Sequence, residues 1–147
     1  MARILYVGMD VHTACIVIAV LNAQGKLVQQ TIIKTKASTV RDFIKGLSGE
    51  VHVTFEEGTH SAWLHDLLNR HVARLIVCNP RKNNLLRDGD KNDRIDARKL
   101  AELLRAGLVK AVYHGEHGTR TLKELVRSYE YLVADSTRVM NRIKAIY

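Results

Sequence analysis

The sequence predicts an α/β domain on a mixed sheet, followed by a long helix with an apolar seam of its own. Three observations predict it. Three strand-like runs separated by short polar breaks open the chain, strand-like and helix-like segments then alternate, and the last third repeats apolar residues at spacings of three and four. Hairpin strands followed by strand–helix alternation mean antiparallel pairing first and parallel pairing after it. At 147 residues and 46% hydrophobic, the chain can bury one core but not two full domains. The expected division is a catalytic-size unit over 1–112 and a helical connector over 113–147.

Ile4 to Met9 and Ala14 to Leu21 are apolar and β-branched, with a polar break from Asp10 to Thr13. The second run is apolar on both faces, as in a central strand. Asn22-Ala23-Gln24-Gly25-Lys26 is a turn signal, and the more mixed run Leu27 to Lys34 suits an edge strand. Val40, Phe43, Ile44 and Leu47 have helical spacing, with Ser38 as the expected N-cap. Val51, Val53 and Phe55 alternate with polar residues, so 51–56 reads as a half-buried strand. Ala62 to Asn69 reads as a helix with Trp63 packed in the core or, as the lesser reading, stacked on a base; Arg74 to Cys78 reads as a short strand and about Asn92 to Ala106 as a strong helix. In the last third, Leu122, Leu125, Tyr129, Leu132, Ser136, Val139, Ile143 and Ile146 form a coiled-coil-like heptad seam. The seam is still running at Tyr147, which suggests a fragment of a longer polypeptide, and it suits self-association through the 121–147 helix.

Lysine and arginine outnumber aspartate and glutamate 23 to 15, giving a net charge of +8. An excess of that size on a small domain fits a polyanion partner, nucleic acid above all. Cys15 and Cys78 sit inside apolar runs, as buried thiols do, and neither has zinc spacing to a second cysteine or a histidine. The longest apolar run, Ala14 to Leu21, is too short to span a bilayer, and nothing resembles an export signal. A reduced, cytoplasmic protein is expected.

The 92–106 segment carries the most information. At 100° per residue, Asp93, Asp96, Ala97, Leu100, Leu103 and Leu104 share an arc of about 120°, while Arg94, Arg98, Lys99, Glu102 and Arg105 fall outside it. The stripe that faces the core therefore ends in two carboxylates. Acids at i and i+3 on such a face repel each other and are costly to desolvate, so a cation should compensate them. The bland alternative makes Asp93 a helix-start acid and pairs Asp96 with an arginine. Asp10 ends the first strand with the parity of Ile4, Tyr6 and Gly8, and Glu56 ends the 51–56 strand with parity opposite to Val53 and Phe55. Acids at the ends of adjacent strands can converge with the two on the helix, and an oxygen-rich set selects Mg2+ or Mn2+ over zinc. Glu57 competes with Glu56 but falls on the other face; Asp88 and Asp90 flank Gly89 as turn residues. His12, two residues past Asp10, reads first as a structural loop residue, with approach to the same site or to a phosphate as the lesser reading.

Arg81, Lys82, Arg87, Lys91, Arg94, Arg98 and Lys99 crowd the segment around the two aspartates. They can hold the phosphates that flank a scissile bond, or they form a solvated basic face. The strand and helix order fits ribonuclease-H-like domains and actin-like ATPases alike. An actin-like phosphate hairpin needs glycines after its aspartate, and here Val11, His12 and Thr13 follow.

Gly8-Met9-Asp10-Val11-His12, Phe55-Glu56-Glu57-Gly58-Thr59 with Trp63, Val77-Cys78-Asn79-Pro80, and Lys91-Asn92-Asp93-Arg94-Ile95-Asp96-Ala97 with Leu100-Ala101 occur in that order. Together they resemble the N-terminal, RuvC-like domain of the DEDD transposases, an insertion-sequence family related to the pilin-gene inversion recombinase. The resemblance implies a Holliday-junction-resolvase-like, ribonuclease-H-type fold with the tetrad at Asp10, Glu56, Asp93 and Asp96. It also implies a divalent metal, DNA as substrate, a structured non-coding RNA as guide, and a bacterial or archaeal, nucleoid-associated setting. Such transposases carry a further C-terminal domain with a catalytic serine. The Glu57-Gly58-Thr59 stretch departs from the usual Glu-Ala-Thr-Gly form but keeps the glutamate. Two rivals remain at this point: a stand-alone junction resolvase with the same carboxylates, and a non-catalytic module that binds nucleic acid and dimerises through its helix.

Overall fold

The computed structural model describes residues 3–80, 92–112 and 117–146, with the backbone alone at 117–120. Contacts divide the chain into two compact units, residues 1–113 and 114–147.

The first unit is built on β1 (Ile4–Val11), β2 (Cys15–Asn22), β3 (Leu27–Lys34), α1 (Ala37–Gly46), β4 (Glu50–Glu56), α2 (Ser61–Leu68), β5 (Arg74–Cys78) and α3 (Asp93–Arg105). The five strands form one sheet in the order β3-β2-β1-β4-β5. β1 pairs antiparallel with β2 and parallel with β4; β2 pairs antiparallel with β3, and β4 pairs parallel with β5. This is the mixed sheet of the ribonuclease-H-like fold.

Each strand's pattern sets its position. β2 (CIVIAVLN) has six consecutive buried residues, as a strand covered on both faces must. β3 alternates and lies at the edge. Between them, Asn22 accepts the backbone N–H groups of Gln24 and Lys26 on Oδ1, while Gly25 takes φ +80, a conformation costly for other residues.

Three local expectations are corrected. β1 runs through Asp10 to Val11, since Asp10 and Val11 still pair with Val17 and Ile16. Lys36, not Ser38, is the residue before α1, and no side chain caps that helix. Trp63 is 37% exposed: the buried stripe of α2 runs through Leu64 and Leu68, and Trp63 falls off it. Instead it meets His60 edge-on at 6.4 Å between ring centroids. Of the two thiols, Cys78 is buried and Cys15 half-buried.

The sheet has two unlike faces. Leu5, Val7, Met9, Val53 and Phe55 point to one, where they pack with Val40, Ile44, Leu64 and Leu68 of α1 and α2. The other face carries Val17 and Ala19, which pack with Ala97 of α3. Gly8 lies on this second face as well. A Cβ there would collide with the Ala97 carbonyl oxygen and the Ala101 nitrogen, so the absent side chain lets the α3 backbone rest on β1. Beyond α3 the chain returns to β5, where Asn79 N–H donates to Lys110 O at 3.2 Å and Val112 N–H donates to Val77 O at 2.8 Å.

The second unit is α4 (His117–Ile146), 30 residues long. Leu122, Leu125, Tyr129, Leu132, Val139, Ile143 and Ile146 are all exposed along it. Val126, Val133 and Met140 are exposed too, at heptad spacing beside the seam, and widen it to three positions in seven. No helix among the described residues is long and apolar enough to cross a membrane.

Candidate metal centre

Three elements bring the acidic residues together. The β1–β4 register pairs Gly8 with Thr54 and Met9 with Phe55, so Asp10 and Glu56 follow one step further along neighbouring strands. Both are half-buried, on the side that α3 covers. Because α3 rests on Gly8 through Ala97 and Ala101, the turn before Ala97 lies beside the next residues of β1. That turn holds Asp93 and Asp96.

Its start is fixed by Asn92, whose Oδ1 accepts the Arg94 N–H at 3.1 Å and whose carbonyl accepts the N–H groups of Ile95 and Asp96. A tertiary tie joins the same turn to the sheet: Gln30 Nε2 of β3 donates to Arg94 O at 2.9 Å. Asp96 is half-buried and Asp93 exposed, so Asp96 carries more of the desolvation cost of facing the sheet.

Charge links Asp10 with Asp93 and Asp96, and Glu56 with Asp10 and Asp96. Burial pushes the Asp10 carboxyl above its ordinary range; His12 opposes the shift, and the charges of Asp93 and Asp96 add to it. Burial likewise raises the Glu56 carboxyl, followed by the charges of Asp10 and Asp96. Glu57 lies just past the end of β4, where its N–H donates to Cys78 O at 2.8 Å.

The structure adds His12. Its Nε2 lies 3.0 Å from Asp10 Oδ2 and 3.6 Å from Asp93 Oδ2. Donor atoms of Asp10, His12 and Asp93 all fall within 4.8 Å of one another, the one such group among the described residues. Glu56 and Asp96 are not part of that group; its two carboxylate oxygens and one imidazole nitrogen fit a divalent cation. Spacing gave only a weak signal for His12, an Asp-x-His pair at a strand end, because the bend at 12–15 decides where its ring goes.

Beside the acids opens a cavity of about 310 Å³ lined by Val11, His12, Thr13, Phe55, Glu56 and the 58–61 turn. Of the basic residues expected near the site, Arg94 and Arg98 lie on the exposed side of α3, where Arg98 Nε pairs with Glu102 Oε1 at 3.0 Å. Arg81, Lys82, Arg87 and Lys91 lie outside the described residues, as do Asp88 and Asp90.

Residues 7–146 match the family model DEDD_Tnp_IS110, described as Transposase. The chain is also similar to the transposase for insertion sequence element IS1533 of Leptospira borgpetersenii, with 35% identity over 114 residues. That alignment covers 72% of this chain and 32% of the relative, so the chain spans about a third of the length of the curated relative it matches. Sheet order, acid-bearing helix and family match converge: the chain belongs to the IS110 family of DEDD transposases.

Proposed function

We propose that this chain is the metal-binding nuclease domain of a DNA transposase, in which Asp10, Glu56, Asp93 and Asp96 hold Mg2+ or Mn2+ and serve DNA strand cleavage and transfer. One observation carries the reading: carboxylates from β1, β4 and α3 lie within one another's electrostatic field, with burial and mutual charge raising both Asp10 and Glu56. Clustered, partly buried acids of this kind are unfavourable without a cation, which makes them expensive as mere structure. A bound divalent ion supplies Lewis-acid stabilisation of the charge that develops on a phosphodiester.

The chain's own residues do the remaining work. Gly8 sets the height of α3 above β1, and Asn92 with Gln30 holds the first turn of α3 in register. Arg94 and Arg98, with Arg81, Lys82, Arg87 and Lys91 nearby in sequence, neutralise backbone phosphates. The cavity beside Glu56, with Thr13, Thr59, His60 and Ser61 in its walls, offers polar groups to one strand of the substrate. Guidance by a structured RNA and self-association through α4 belong to the same proposal. The broad apolar stripe of α4 supports the second of these.

Calorimetric titration with Mn2+ or Mg2+ tests the centre. Asp96→Ala should leave the metal-free melting temperature unchanged or higher, since it removes a charge that repels Asp10 and Glu56, and should abolish the metal isotherm. It should also abolish a metal-induced stabilisation of about 2.7 kcal/mol at a hundredfold excess over Kd. An unchanged isotherm would sink the assignment. For the substrate, Arg94→Glu should weaken binding to labelled branched DNA and flatten its salt dependence; equal affinity and slope would remove Arg94 from the DNA path.

A further inference from the structure

His12 stands in the turn between β1 and β2, where a histidine often serves only to shape the loop. Here its backbone is tied from two sides: its N–H donates to Cys15 O at 2.9 Å, and Thr35 Oγ1 donates to its carbonyl at 2.7 Å. The loop therefore does not need the imidazole to hold its shape. The ring instead reaches across to two carboxylates on different elements, Asp10 of β1 and Asp93 of α3.

The donor spacing is compatible with one shared ion. In an octahedron with bonds of about 2.1 Å, neighbouring donors stand about 3.0 Å apart and opposite donors about 4.2 Å. The Asp10 Oδ2–His12 Nε2 distance is 3.0 Å, and the His12 Nε2–Asp93 Oδ2 distance of 3.6 Å lies between those two values. The imidazole is also open to solvent, with its side chain 46% exposed, so an ion can reach the nitrogen without rearrangement of the core.

We propose that His12 Nε2 is a ligand of the divalent ion held by the carboxylates, and that it biases the site toward Mn2+ over Mg2+. The proposal rests on the metal-binding reading above. Magnesium prefers an all-oxygen shell and retains its waters, whereas an imidazole nitrogen suits first-row transition ions. Ligation takes the ring neutral, with its proton on Nδ1. A histidine that merely orients Asp10 would make the same 3.0 Å contact but would put no nitrogen on the ion.

Pulsed electron paramagnetic resonance of the full chain loaded with Mn2+ separates these cases. The expected result is nitrogen modulation from one imidazole on the bound Mn2+ signal. His12→Ala should still bind Mn2+ through the carboxylates, lose the modulation, and show a lower ratio of Mn2+ to Mg2+ affinity. His12→Asn should do the same while keeping a polar side chain of similar reach, and its metal-free melting temperature should match that of the unchanged chain. Bound Mn2+ without nitrogen modulation in the unchanged chain overturns the His12 proposal and leaves the carboxylate site standing. Modulation that survives in both variants assigns the nitrogen elsewhere and overturns it as well. Absence of any bound Mn2+ in the unchanged chain removes both readings together.

Discussion

On the face covered by α1 and α2, the sheet presents Val7, Met9, Val53 and Phe55, each fully buried against side chains such as Val40, Leu64 and Leu68. On the face covered by α3 it presents Gly8, Val17 and Ala19, and the helix answers with Ala97. Large residues seal the first face through side-chain interdigitation. Small ones on the second face let a helix backbone come down onto a strand, and the first turn of that helix brings its acids to Asp10. Two faces of one sheet thus separate the work: one supplies most of the apolar burial, and the other trades burial for the close approach that assembles a charged centre. Burial still reaches both, since Leu100, Leu103 and Leu104 of α3 are buried further along the same helix.

Substitutions can break this contrast, starting with the largest effect. Phe55→Ala empties the centre of the α1/α2 face and should cost about 4 kcal/mol in urea unfolding. A loss below about 1 kcal/mol would mean that this face is not the main store of stability. Gly8→Ala adds a single methyl on the other face, yet that methyl meets backbone rather than a movable side chain. It should cost about 3 kcal/mol and weaken divalent-metal binding, since α3 must lift away from β1. Metal binding that survives Gly8→Ala unchanged would show that the acids do not depend on the height of α3.

The smallest expected effect is a pH dependence confined to the α3 face. Asp10 and Glu56 are both raised from their ordinary values of 3.8 and 4.5, by burial first. The folded chain therefore keeps their protons to higher pH than the unfolded chain does. Their stabilising contribution is complete below the ordinary values and is lost as pH rises through the folded-state values. Metal-free protein should thus lose stability as pH rises from the ordinary carboxylate range, and Asp10→Asn with Glu56→Gln should flatten that slope. Equal slopes in the double variant and the unchanged chain would mean that neither carboxyl is strained by its setting.

Much of this was legible from spacing. The alternation of Val51, Val53 and Phe55 marks β4, and the runs at 27–34 and 74–78 coincide with β3 and β5 to the residue. The arc shared by Asp93, Asp96, Ala97 and Leu100 predicts a helix whose apolar stripe ends in acids, and Ala97 and Leu100 are indeed buried. The same arc overstated the burial of Asp93, which sits in the first turn of α3 and remains exposed. Trp63 escaped in the opposite sense: hydrophobicity assigned it to the core, but an eight-residue helix buries one narrow stripe, and Leu64 and Leu68 occupy it. The return of Lys110 to Val112 onto β5 had no sequence signal, since a pairing held by backbone groups leaves little mark on residue type.

By itself the sequence determined which residues share a face, because periods of two and 3.6 follow from backbone geometry and are written in the order of the residues. It therefore determined that Asp10 and Glu56 each take the face opposite the large apolar residues of their own strand, and that Asp93 and Asp96 end the stripe of a helix. Only the tertiary structure decided which faces meet. The parallel register of β1 with β4, the approach of α3 over Gly8, and the bend that swings His12 toward Asp10 and Asp93 all depend on contacts between residues distant in the chain. Local spacing carries no information about such contacts. The four acids were visible in the sequence as separate features, and packing set Asp10 beside Asp93, with Asp96 and Glu56 close enough to shift the charge balance around Asp10.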